Sequence, residues 1–171
     1  MSHIGTRSAR LVGEKSRTLS GWHGVARPWD INPRETVMAE INYLAVIAAA
    51  AAALIQGALW YSVLFGNQYL SLRGIDQAAM ADMRPPVWEM AAEFGRCLVV
   101  AAILAGFLAR LDITSFTGAL LLAFALWVGF QAMAILGAVI HEGYSWQLYA
   151  IHTADALVKI VLMSLILVAW R

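Results

Sequence analysis

Residues 147–170 read QLYAIHTADALVKIVLMSLILVAW, an apolar run long enough to cross a bilayer that nevertheless carries His152, Asp155 and Lys159. A helix rises about 1.5 Å per residue, so Lys159 lies about 18 Å from Gln147, near the middle of a hydrocarbon layer about 30 Å thick. Insertion scales place a lone Asp or Lys at that depth at roughly 2.5 to 3.5 kcal/mol unfavourable. A span that keeps both must pair them or turn them into a wet cavity. At about 100° per residue the three positions fall within an arc of about 60°, so imidazole, carboxylate and amine share one stripe.

The rest of the chain agrees with a membrane setting. Of its 171 residues 61% are hydrophobic and 13% charged, and the mean hydropathy is +0.67, well outside the range of a soluble domain. The expected fold class is therefore all-α, an integral membrane four-helix bundle preceded by a disordered tail. The formal net charge of +1 and the lack of basic residues interleaved with aromatics exclude a nucleic-acid surface. Cys97 is the sole cysteine, which rules out an intrachain disulfide and a cysteine-rich metal site.

Residues 1–37 scatter Arg7, Arg10, Lys15, Arg17, Arg27 and Arg34 among Ser, Gly, Thr and Pro without an apolar period. Such a segment buries no core. It reads as a disordered cytoplasmic tail, as an artefact of a gene start whose true first residue is Met38, or, as a third option, as an organelle transit peptide. Residues 38–171 form the membrane domain, with spans expected at about 41–65, 87–109, 114–140 and 147–170. In span one the alanine tract Ala48 to Ala53, with Gly57, predicts a face on which another helix packs closely, and Gln56 should hydrogen-bond across that contact. Trp60 and Tyr61 suit the membrane interface. The loop at 67–86 should start a short helix near Gly74, Asp76 and Gln77, with Asp76 as its cap, and end at Pro85-Pro86. Span two carries Glu89, Glu93 and Arg96. Arg110 and Asp112 make so short a turn that spans two and three are expected to be antiparallel neighbours. Span three contains Gly129, Gln131 and Gly137, with Gln131 again a polar helix contact. The triplet Ala58-Leu59-Trp60 recurs as Ala125-Leu126-Trp127, a faint internal echo.

Several stretches carry a resemblance to a known family. Asn42-Tyr43-Leu44-Ala45 opens the first span, Gly57-Ala58-Leu59-Trp60-Tyr61 and Phe65-Gly66 close it, and Leu126-Trp127-Val128-Gly129-Phe130 stands in the third. With His141-Glu142-Gly143 and Ala169-Trp170-Arg171, these resemble the bacterial membrane family catalogued as domain of unknown function 1761. The resemblance covers all but the tail and implies a small four-span membrane protein. It carries no known activity, so it transfers no catalytic residue. Members of that family usually begin close to the first span, which favours Met38 as the start.

The candidate intramembrane network is Glu93 and Arg96 of span two meeting Asp155 and Lys159 of span four, with His152 at its edge. Such a network can simply fix helix register, or it can form part of a proton or solute path. His141, Glu142 and His152 match no zinc spacing, no c-type haem attachment sequence is present, and no nucleophile elbow, phosphate loop or paired-carboxylate pattern appears. The expectation is no metal, no cofactor and no demonstrable enzymatic activity. The expected partners are the lipid bilayer, a second copy or another membrane protein. The expected role is accessory, in the bacterial inner membrane with both termini cytoplasmic by the positive-inside rule. The alternative is a small oligomeric transporter or channel.

Overall fold

The computed structural model describes residues 41–76 and 86–170, and the tail, the second half of the loop and the final residue lie outside them. Among the described residues there is no strand, and four helices are long and apolar enough to cross a membrane: span one Tyr43–Leu64, span two Val87–Arg110, span three Phe116–Glu142 and span four Trp146–Ala169. The protein is a multi-pass membrane protein.

Local sequence sets where each span starts. The first backbone N–H groups of a helix lack partners, and in hydrocarbon or at its border a side-chain acceptor must supply them. Asn42 accepts from the amides of Leu44 and Ala45, Ser115 from Gly118 and Ser145 from Leu148. Span two follows Pro86, whose extended backbone leads straight into the helix without a side-chain cap. Gly143 ends span three at φ 70°, in the left-handed region where glycine carries no Cβ penalty.

Spans one and three are not uniform. Each changes to a π-helical turn at its tryptophan, over Trp60–Leu64 and Trp127–Ala132. The repeated Ala-Leu-Trp triplet thus marks the same backbone event twice. π turns are rare and concentrate where a side chain must be re-aimed, and here both re-aim an indole. Trp60 donates from Nε1 to the Ile151 carbonyl at 3.2 Å, and Trp127 to the Thr153 carbonyl at 2.7 Å. Both land on span four two residues apart, so the local echo does not extend to equivalent partners.

The short loop helix lies at Gly66–Arg73 and stops at Gly74, φ 66°. It therefore precedes the glycine that the sequence suggested would start it, because Gly66 accommodates the close turn out of the π segment: a Cβ there would sit 2.8 Å from the Tyr61 carbonyl oxygen. A helix following Asp76 would fall at 77–85, outside the described residues.

Spans one and four form an antiparallel central pair. Asn42 at the start of span one donates from Nδ2 to the Trp170 carbonyl at 3.0 Å, while Trp60 at its far end reaches the beginning of span four. Span two packs along span one and more lightly on span four, and span three packs chiefly on span four. The tight turn at Arg110–Ser115 does not make spans two and three a packed pair. Each finds its burial against the central helices instead, and Asp112, at φ 49°, helps turn the chain.

Residue size decides this order. Span one buries Ala45, Val46, Ala49, Ala50, Ala53 and Gly57, small enough for neighbours to come close on two sides. Span four fills the space with Ile160, Met163, Leu167 and Val168, and span two with Cys97, Ala101, Leu104 and Leu108. Span four is the most enclosed of the four and span three the least.

Candidate functional site

Lys159 is the hinge of the polar cluster. Its Nζ donates to Asp155 Oδ2 at 2.9 Å, one turn back on the same helix, and reaches Glu93 Oε1 of span two at 3.5 Å. The i, i+4 spacing makes the first contact, and the light packing of span two on span four makes the second. Both members of the Asp155–Lys159 pair are about nine-tenths buried. The amine lies against Gly57 of span one, where an added Cβ would be 2.6 Å from Nζ and 2.8 Å from Cε. Gly57 therefore makes room for a lysine side chain rather than for a helix backbone.

Glu93 is shared. Its two oxygens also receive the Arg96 guanidinium, Nε to Oε2 at 2.8 Å and Nη2 to Oε1, in a forked ion pair. The order Asp155, Lys159, Glu93, Arg96 alternates in charge and links two spans. It also runs outward, because the Arg96 side chain is 52% exposed.

His152 stands apart from that row. Its Nδ1 is 2.7 Å from the Tyr61 hydroxyl and its Nε2 3.4 Å from the Tyr144 hydroxyl. With Tyr69 these rings enclose the imidazole, with centroids 5.7 Å, 5.7 Å and 5.9 Å away for Tyr61, Tyr69 and Tyr144. A neutral imidazole offers one donor and one acceptor, so one tyrosine donates to the ring while the other accepts from it. The Tyr61 hydroxyl also lies near the Asp155 carboxylate.

Three buried polar atoms have no partner among the described residues: Asp155 Oδ1 and both side-chain atoms of Gln56. The bond expected of Gln56 across the helix contact is not made. Gln131 sits half-buried in the π turn of span three with no hydrogen bond to another span. Among the described residues no group of three or more His, Cys, Asp or Glu is placed to hold a metal.

Sequence reasoning passed over Tyr61, Tyr69, Tyr144 and the two indole donors. Trp60 and Tyr61 suit the membrane interface by residue type, and the π turn also sets them against span four. The one signal that pointed there was the repeated triplet.

Residues 44–168 match the profile of the family described as Protein of unknown function (DUF1761). The chain belongs to that family. The match takes in all four spans and every residue of the polar cluster. Neither curated proteins nor solved structures yield a match.

Proposed function

We propose that this DUF1761 protein is an accessory protein of the bacterial inner membrane that acts by lateral association within the bilayer, with both termini cytoplasmic. The observation supporting this reading is the position of Arg96. It lies nine residues into span two, roughly 14 Å along a helix that crosses about 30 Å of hydrocarbon, and half of its side chain is uncovered. A guanidinium facing acyl chains at that depth is costly, and a neighbouring protein surface removes the cost. The experiment is to replace Arg96 with Leu and measure the particle size in mild detergent. The native chain is expected to run as an assembly larger than one 18.6 kDa protomer, and the variant to fall towards a monomer. A native chain that is strictly monomeric in membranes and detergent overturns the reading.

A proton or solute path is the second reading, favoured by the line from Tyr144 through His152 and Tyr61 towards the unpartnered Asp155 oxygen. Its inner end is closed. Beyond Lys159 the helices meet through Leu104, Leu108, Met163 and Leu167, all buried and apolar. A single copy thus holds a polar entrance on one side only. Proteoliposomes enclosing a pH dye separate the readings: proton flux that is lost in Tyr61→Phe supports a path, and its absence leaves association.

A further inference from the structure

Span two leaves one face bare. Glu89, Ala92, Arg96, Val99, Ile103 and Gly106 follow each other at intervals of 3, 4, 3, 4 and 3 residues, the repeat that keeps a seam continuous between two helices in a shallow left-handed crossing. All six lie on the side away from Cys97, Ala101, Leu104 and Leu108, which face the bundle. Val99 is 60% and Ile103 56% exposed. At Gly95 and Gly106 a Cβ would meet nothing within 4 Å, so a second helix can approach closely there.

A small-residue seam alone does not say what covers it, but the charges on this one do. Arg96 spends Nε and Nη2 on Glu93 of its own chain, and no other hydrogen bond of the guanidinium is found among the described residues. Donors remain free in an environment that supplies no water. Glu93 lies one turn away, between this seam and the bundle face, with its side chain 36% exposed, and a carboxylate has lone pairs for more than its own arginine. A two-fold axis along the membrane normal sets two such pairs side by side. Each Arg96 then bridges the two Glu93 carboxylates, making a closed ring of two cations and two anions with no net charge. A self-complementary patch of this kind is what an isologous interface requires.

We propose that span two is the dimerisation helix and that its partner is span two of a second copy. This rests on the association reading above and names its partner. The test places a photoreactive benzophenone amino acid in the full-length chain, in native membranes, at Val99 or Ile103, with Leu121 on the exposed side of span three as the control. The expected result is an adduct of twice the protomer mass from Val99 and Ile103, none from Leu121, and at least a fivefold loss of the Val99 adduct when Gly106→Leu fills the seam at unchanged protein level. An adduct with a protein of another mass overturns the dimer while leaving lateral association standing. No adduct at either seam position overturns the dimer, and if Arg96→Leu also leaves the particle size unchanged, the association reading falls with it. Equal self-adducts from all three positions indicate crowding and overturn the assignment of the seam.

Discussion

Replacing Gly57 with Ala adds one methyl group to a helix interior, where alanine is ordinarily favoured over glycine by about 1 kcal/mol. Here the sign should reverse. The new Cβ would stand 2.6 Å from Lys159 Nζ and 2.8 Å from Cε, against the roughly 3.5 Å at which nonbonded heavy atoms settle. The ammonium must retreat by about 1 Å. It starts 2.9 Å from Asp155 Oδ2 and 3.5 Å from Glu93 Oε1, and a displacement of that size takes at least one contact past hydrogen-bonding range. Hydrogen bonds to charged groups are worth about 1.5 to 3 kcal/mol, whereas hydrogen bonds between membrane helices average nearer 0.6 kcal/mol with a maximum of about 1.7. Taking about 1.6 kcal/mol for the loss, where the two ranges overlap, and returning about 1 for helix propensity leaves a net destabilisation of about 0.6 kcal/mol. The assay is reversible unfolding in mixed detergent and SDS micelles, followed by tryptophan fluorescence. The same change should then be made in a chain carrying Asp155→Asn and Lys159→Ala together, where neither Cε nor the ammonium is in the way and alanine at position 57 should stabilise by up to about 1 kcal/mol. Gly57→Ala that is neutral or stabilising in the native chain refutes the claim that this glycine exists to seat the lysine.

Asp155→Asn alone and Lys159→Met alone should each lower protein level sharply, since breaking a buried pair costs about 3 to 5 kcal/mol, and the double variant should recover most of it; immunoblots of membrane fractions read this directly, and a double variant as depleted as the singles counts against pairing. Tyr61→Phe removes the 2.7 Å contact to His152 and should lower the unfolding midpoint more than Tyr144→Phe, which removes one of 3.4 Å. Trp127→Phe and Trp60→Phe make a similar ordered pair in the same unfolding assay, the first losing a bond of 2.7 Å to the Thr153 carbonyl and the second one of 3.2 Å to Ile151. Equal midpoints within either pair would disconnect those distances from stability.

The number and type of elements were legible because each apolar run is long enough to cross a bilayer and is interrupted by charged or turn residues that a reader can find: Gly66 and Asn67, Pro85 and Pro86, Arg110 and Asp112, and His141 to Gly143. The arrangement of the spans was not. In a helix that is apolar all round, hydrophobic period no longer separates inside from outside. What separates them is size, and alanines such as Ala49 and Ala53 enclose span one on two sides where a turn-length argument had paired spans two and three. At the site, the stripe of His152, Asp155 and Lys159 can be read from spacing alone, because four residues make one turn. The outward aim of Arg96 depends on which face of span two meets its neighbours, and no local rule states that. The tyrosines around His152 depend on a π turn, which inserts an offset that a 3.6-residue count cannot anticipate.

The hydrogen bond from Asn42 to Trp170 joins span one to span four, which is synthesised three helices later. Because spans one and four are also the central pair, a nascent chain holding only the first three lacks the helix against which span three packs and half the cover of span one. Close packing of span three therefore waits for span four, and a chain truncated before Trp146 is expected to leave span three and one side of span one without a partner helix.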